Sequence, residues 1–422
     1  MIGNTAVTLK GTTPPVFPQE IFDSIIDYLR TNSPALRSAS LVCNAFATSC
    51  RRIAFYKITI DADTFKTLPK LIRQAPEIPT FVRELHIVGG HDDLFSELSL
   101  PPLLKEFKAI QRLRWKIFQH HSFSEWKWMP LEQREAFSAL ISQPTLTHLD
   151  LSGIVMLPIA ELYSLNRGLH YLGLNNITID TSPKQHLKGS TLGENLPQIR
   201  LEHAGLAFLQ DETVEVLLSE QSPFDFTGLE SCAVVEVGPA GNLVLQACQK
   251  SLQHYGHVFW RWIGPQTYTA TLQRDIAAIG NLRSLTFLPV YSYKGMPTTK
   301  PMLDVLEAVC HSPSCALENV TIIIWTEHFR PPYKNIEIWK AIDLALSLPA
   351  SLKKVTYIAP VHGRSGFSLE ALQRGVRDIF PCIWKSGKAH LEIHSDNKGS
   401  EMNYWTIDFS VLSSFDRYSL HV

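Results

Sequence analysis

From residue 80 onward one short pattern recurs: an apolar residue, two variable ones, an apolar residue, one variable, an apolar residue. The cleanest copies are Leu146-Thr147-His148-Leu149-Asp150-Leu151 and Leu169-His170-Tyr171-Leu172-Gly173-Leu174. Others begin at Val82, Ile110, Leu196, Leu282, Leu317 and Leu352, with weaker ones at Leu229 and Leu252 and a last strand at Leu391-Glu392-Ile393. The last positions of each copy alternate, which predicts a strand with one apolar and one polar face. The steps from Val82 to Leu352 are uneven and average about 30 residues, a period of stacked repeats.

Helical periodicity fills the intervals. Leu131–Ile141, Asp211–Glu220, Leu243–His254, Thr269–Ile279, Pro301–His311, Ile336–Leu348 and Ser368–Phe380 are the predicted helices. Strand, helix and strand in alternation predict parallel strands joined by crossovers, each unit burying its apolar face against its neighbours. Pro101-Pro102, Pro289–Pro297 and Pro331-Pro332 read as loop bends. His120–Met129, with Trp126 and Trp128, reads as an inserted loop on the binding side.

The first sixty residues differ. Residues 1–15 are polar, with Gly and Pro, and read as a disordered leader. Pro18 suits a first helical turn, and Ile21, Ile25, Ile26 and Leu29 then share one apolar face. Ser33 is the expected N-cap of a second helix, with Pro34 at N1. A third helical stretch follows Val42-Cys43-Asn44-Ala45-Phe46, and Phe55–Ile60 alternates like a strand.

Phe17-Pro18-Gln19-Glu20-Ile21, Ile25-Ile26-Asp27-Tyr28-Leu29, Leu36-Arg37-Ser38, Ser40-Leu41-Val42-Cys43 and Phe55–Ile60 together resemble the F-box domain, in the form common among mushroom-type fungi. Phe17 stands where the family usually has Leu, and Phe46 where it has Trp. The resemblance implies that Phe17, Pro18, Ile21, Ile25, Leu29, Leu41, Val42, Cys43 and Phe46 form the core of the block or touch the Skp-type adaptor of a cullin ubiquitin ligase. Elementary packing points the same way, because three short helices bury too little surface to stand alone. The remainder resembles the degenerate leucine-rich repeats of such proteins, although Ser152-Gly153-Ile154 follows the first clean copy where that family has Asn. The expected fold class is therefore α/β: a three-helix F-box over 16–60, then an irregular leucine-rich-repeat-like solenoid with a parallel sheet over 61–422.

Composition narrows the function. Lys+Arg total 39 against Asp+Glu 40, which excludes a chain built to coat nucleic acid or an acidic membrane. Seven Cys at irregular spacing argue against a disulfide framework. With no long apolar run and no signal-like start, an intracellular protein of the cytoplasm or nucleus is expected. Phosphate-loop and nucleophile-elbow motifs are absent. His390, Glu392 and His394 would share a strand face, but they read as a polar strand face and not as a metal site. Cys310, His311 and Cys315 lack a second ligand pair, as do His254 and His257, and Cys43 reads as a small buried hydrophobe.

The resulting expectation is a non-enzymatic adaptor without metal or cofactor, monomeric outside its complex. It recruits a protein target through Trp126, Trp128, His148, Asp150 and Tyr171. The alternative is a repeat scaffold acting without a ligase. A hydrolase or metal enzyme using the His-rich end is the poorest reading.

Overall fold

The apolar triplets of the repeat, with one exception, lead into strands of one parallel sheet. The computed structural model describes residues 18–30, 32–90, 94–95, 97–118, 124–182, 198–235, 240–259, 267–289, 299–323, 336–362 and 369–396. Twelve strands lie side by side in chain order, from Lys57–Ile60 to Ala389–Asp396, so the protein is mixed α/β with every neighbour pair of this sheet parallel. Parallel neighbours require crossovers, and helices supply them.

One backbone device recurs. The carbonyl of the residue preceding a strand accepts two consecutive N–H groups of the next unit. Tyr56 O takes Arg83 N and Glu84 N at 2.9 Å each, and Thr147 O takes His170 N at 2.8 Å and Tyr171 N at 3.1 Å. Glu318 O takes Lys353 N at 2.7 Å and Lys354 N at 3.1 Å at the far end. This repetition satisfies the backbone groups where each strand begins and fixes the register.

The repeat reading needs one shift. Leu196 lies outside the described residues, and Ile199–Arg200 pairs with Phe224–Asp225 in a small separate ladder. The sheet strand is His203–Ala207, and the unit's buried leading residue is Leu201. Ala204 and Gly205 carry too little apolar bulk for the pattern to register there. The predicted copies at Leu229 and Leu252 do lead into strands, at Ser231–Val235 and His254–Phe259. The sheet also starts earlier than residue 61, because Lys57–Ile60 pairs with Glu84–Gly90.

Helices follow the predicted pattern at Leu131–Ile141, Asp211–Leu218, Thr267–Ala277, Thr299–Cys310, Ile336–Ser347 and Leu369–Ile379. The stretch predicted over Leu243–His254 is shorter, at Gly241–Ala247, and His254 opens a strand. Ala62–Gln74 is an additional helix, capped by the Asp61 carboxylate, which accepts from Thr64 N at 2.8 Å. Pro101 and Pro102 sit in the first turn of the helix Leu100–Leu104, where a missing N–H costs nothing. Of the other expected bends, residues 290–297 and Pro331-Pro332 lie outside the described residues.

The helices pack on one face of the sheet, forming a continuous core from Ile58 to Ile383. Leu85, Leu149, Leu172, Leu206, Val234 and Phe287 point into it. Trp115 is fully buried there, edge-on to Phe137 with centroids 5.0 Å apart. Asp343, buried on Ile336–Ser347, accepts from Cys382 N at 2.7 Å and Ile383 N at 2.9 Å, and so anchors the short helix Pro381–Lys385. His257 is also buried on the helix side, 2.8 Å from the Tyr255 hydroxyl through Nδ1, and its burial pulls its pKa down to about 3. Gly153 adopts φ +77°, and a Cβ there would stand 2.3 Å from the Ile117 carbonyl oxygen.

Candidate functional site

Three helices precede the sheet: Gln19–Asp27, Ser33–Ala39 and Asn44–Ala54. The second is capped by Asn32, whose side chain accepts from Ala35 N at 3.0 Å, so Ser33 is the first helical residue and not the cap. Their shared core is small: Ile26, Leu36 and Cys50 are buried, with Leu29, Ala39, Phe46 and Ile53 packed around them. Phe22 meets Phe46 edge-on at 5.1 Å. A polar clamp joins the first and third helices. Ser49 Oγ donates to Asp23 Oδ1 at 2.6 Å, Gln19 Nε2 donates to Ser49 Oγ at 2.8 Å, and Arg52 Nη1 reaches Asp23 Oδ2 at 3.1 Å. These contacts hold the Asp23 carboxyl below its usual range, the Ser49 hydrogen bond contributing most.

The single apolar helix face expected from the sequence divides in two. Phe22, Ile26 and Leu29 turn inward. Ile21, Ile25 and Tyr28 form a second stripe, exposed to 47%, 46% and 91% of their surface. Leu41 and Val42, in the turn after the second helix, are exposed to 87% and 68%. Pro18 and Cys43 are exposed too, so Cys43 is not the buried hydrophobe that its residue type suggests. Phe17 lies outside the described residues. Leu29 and Phe46 are half-buried packing residues of the block. The sequence reading did not single out Tyr28, although its place seven residues after Ile21 puts it on the same stripe.

The second surface is the sheet face away from the helices. Strand register brings His148 beside Arg112 and Tyr171, and Asp150 beside Arg114 and Gly173. Arg114 Nε donates to Asp150 Oδ2 at 2.9 Å. The His148 and Tyr171 rings stack at 5.8 Å and 23°, and Thr147 Oγ1 lies 2.8 Å from His148 Nδ1. Gly173 leaves this corner open: a Cβ would stand 3.0 Å from both Asp150 Oδ1 and the Tyr171 hydroxyl. His148, Asp150 and Tyr171 are thus brought together, with Arg114 as the partner that the sequence reading missed.

The tryptophans do not join them. Trp126 is buried, packed against Phe137 of the helix-side core at 5.2 Å, so it is a core residue and no binding anchor. Trp128, two positions on in the same 3-10 turn, is 65% exposed and lies under the Lys127 ammonium at 5.0 Å. It has no described contact with the His148–Tyr171 corner.

His254 and His257 project to opposite sides of their strand. His254 is half-buried on the helix-free side, and its pKa is lowered by burial and then by His203. Cys310 is buried, and burial pushes its thiol up to about 12. The strand Ala389–Asp396 forms as predicted, while the side chains of Glu392 and His394 lie outside the described residues. Among the described residues no cluster of three His, Cys, Asp or Glu could hold a metal ion. No helix among them is long and apolar enough to cross a membrane.

No protein-family model matches the chain. No curated protein matches it in sequence.

Proposed function

We propose that this protein is a substrate-recruiting adaptor of an SCF-type ubiquitin ligase. In this reading the N-terminal helices are an F-box and the strand–helix units an irregular leucine-rich-repeat-like solenoid. The observation that carries the reading is the exposure of Ile21, Ile25, Tyr28, Leu41 and Val42 on a block whose own core holds three buried apolar residues. Large apolar side chains concentrated on so small a unit fit a surface that a partner covers. Four of them, Ile21, Ile25, Leu41 and Val42, are among those the F-box resemblance assigns to the block's core or to the Skp-type adaptor; Tyr28 extends that stripe.

The chain performs no bond chemistry in this role. It raises the concentration of a protein target near the ubiquitin-loading enzyme. The target surface is the helix-free sheet face around His148, Asp150, Tyr171 and Arg114, a mixed polar surface with stacked aromatic area. The compartment is the cytoplasm or nucleus, where cullin ligases act.

The test is retention of a purified Skp-type adaptor on the immobilised full chain. Wild type should retain it, and Leu41→Asp with Val42→Asp should not, at unchanged thermal stability. Equal retention by the double variant would refute the reading. Failure of wild type to retain any adaptor would leave the repeat scaffold without a ligase.

A further inference from the structure

At the edge where the strands begin, three successive turns line an open pocket of about 340 Å³, near the lower end of ligand-site volumes. The turns precede the strands Ser231–Val235, His254–Phe259 and Ser284–Pro289, and Arg200 joins them from the short ladder beside Phe224–Asp225. Its lining is polar: Arg200, Glu230, Lys250, Gln253, Asn281 and Arg283, over Gly228 and Ser251.

The backbone frame is fixed by hydrogen bonds. Glu230 O accepts from Gln253 N at 2.9 Å and His254 N at 3.0 Å, and Gln253 O from Arg283 N at 2.8 Å. Asn281 Nδ2 donates to Lys250 O at 2.8 Å, and Ser251 Oγ donates to Thr227 O at 2.9 Å. Arg200 lies over Gly228 so closely that a Cβ would stand 2.3 Å from its Nε. A side chain at position 228 would therefore push the guanidinium aside.

Charge distinguishes this pocket. Arg200, Lys250 and Arg283 face it with one carboxylate, Glu230. Elsewhere along the same edge Lys353 is paired, its Nζ 2.8 Å from Glu318 Oε2. Among the described residues none of the three pocket cations forms a salt bridge, although Arg283 also acts on the Glu318 carboxylate, whose direct partner is Lys353. Two guanidinium groups and an ammonium line one open pocket, where a compact anion can replace water.

We infer that this pocket binds a phosphomonoester, its phosphoryl oxygens held by Arg200, Lys250 and Arg283. A phosphomonoester carries a charge of about −1.5 to −2 at neutral pH, which three cations less one carboxylate can match. In this binding mode the Glu230 carboxylate, which lines the same pocket, accepts from a hydroxyl or N–H of the attached group. Bare phosphate has no such group and gains only the cation contacts. A free phosphorylated metabolite and a phosphorylated side chain share this chemistry. The inference does not depend on adaptor docking, because the pocket lies on the sheet and shares no residue with the N-terminal block.

The test is calorimetric titration of the full chain at matched ionic strength. The probes are inorganic phosphate, phosphoserine and a peptide carrying one phosphoserine. Phosphoserine or the phosphopeptide should bind saturably and more tightly than inorganic phosphate, and the tighter of the two identifies the source. Arg283→Gln should weaken binding about tenfold or more. Gly228→Ala, whose backbone conformation suits alanine, should weaken it severalfold by displacing Arg200. Both variants should keep the wild-type melting temperature, since the cations are exposed. Absence of saturable binding by every probe would overturn the inference, as would equal affinity in Arg200→Gln with Arg283→Gln.

Discussion

Ile25 and Ile26 are neighbours of identical chemistry, yet their replacement should have opposite consequences. Ile26 is fully buried and is one of three buried apolar residues of the N-terminal block, whereas Ile25 is 46% exposed on the outer stripe. Truncating a buried Ile to Ala costs about 2–5 kcal/mol, the transfer energy plus the cavity left behind. A core this small has few neighbours to collapse inward, which places Ile26→Ala in that range. Ile25→Lys removes little packing, and a cation in the last turn suits the helix dipole, so its effect on folding stays within about 0.5 kcal/mol. The block can open without the sheet, so native-state hydrogen exchange of the Ser33–Ala39 and Asn44–Ala54 amides is the appropriate assay. Ile26→Ala should lower their protection about thirtyfold or more, the equivalent of about 2 kcal/mol. Ile25→Lys should leave protection at the wild-type level and abolish adaptor retention. Equal loss of protection in both variants would refute the division of the helix into an inner and an outer stripe.

Other expectations follow from single contacts. Asp343→Ala removes the acceptor of Cys382 N and Ile383 N and should cost about 3 kcal/mol; an unchanged urea midpoint would contradict the anchoring role. Gly153→Ala forces a side chain onto the Ile117 carbonyl at positive φ and should destabilise by more than about 1 kcal/mol in the same assay. His257 is neutral in the fold, with its pKa lowered from 6.5 to about 3. The unfolded chain therefore binds a proton below pH 6.5 that the folded chain binds only near pH 3, so the stability from this group is complete above pH 6.5 and lost as pH falls through that window. Denaturation as a function of pH should show a slope of about 1.4 kcal/mol per unit from this site, absent in His257→Gln. An identical slope in the variant would show that other groups carry the acid response.

The strand pattern is legible where burial alternates, as in Glu84–Gly90 and His148–Ser152; in Tyr171–Asn175, His203–Ala207 and Ser231–Val235 consecutive residues are buried. Leu146, Leu149 and Leu151 are fully buried, as are Leu172 and Leu174. The pattern fades where bulk is missing, and so it places the unit led by Leu201 five residues early, at Leu196. The residues Ile21, Ile25, Ile26 and Leu29 satisfy one helical stripe on paper, but two stripes exist, and only the third helix decides which of them is covered. Trp126 and Trp128 differ for the same reason: a 3-10 turn presents one to Phe137 and the other to solvent. The polar pocket left no trace in the pattern, because its residues come from turns of three successive units.

The central claim is that the outer stripe of the first helix and the following turn dock on a Skp-type adaptor. Hydrogen exchange of the full chain with and without purified adaptor tests it most directly. The account predicts new protection across Gln19–Asp27 and Leu41–Cys43, with the strand amides from Glu84 to Asp396 unchanged. Protection on the strand face with none on those helices, or no change at all at saturating adaptor, would contradict it.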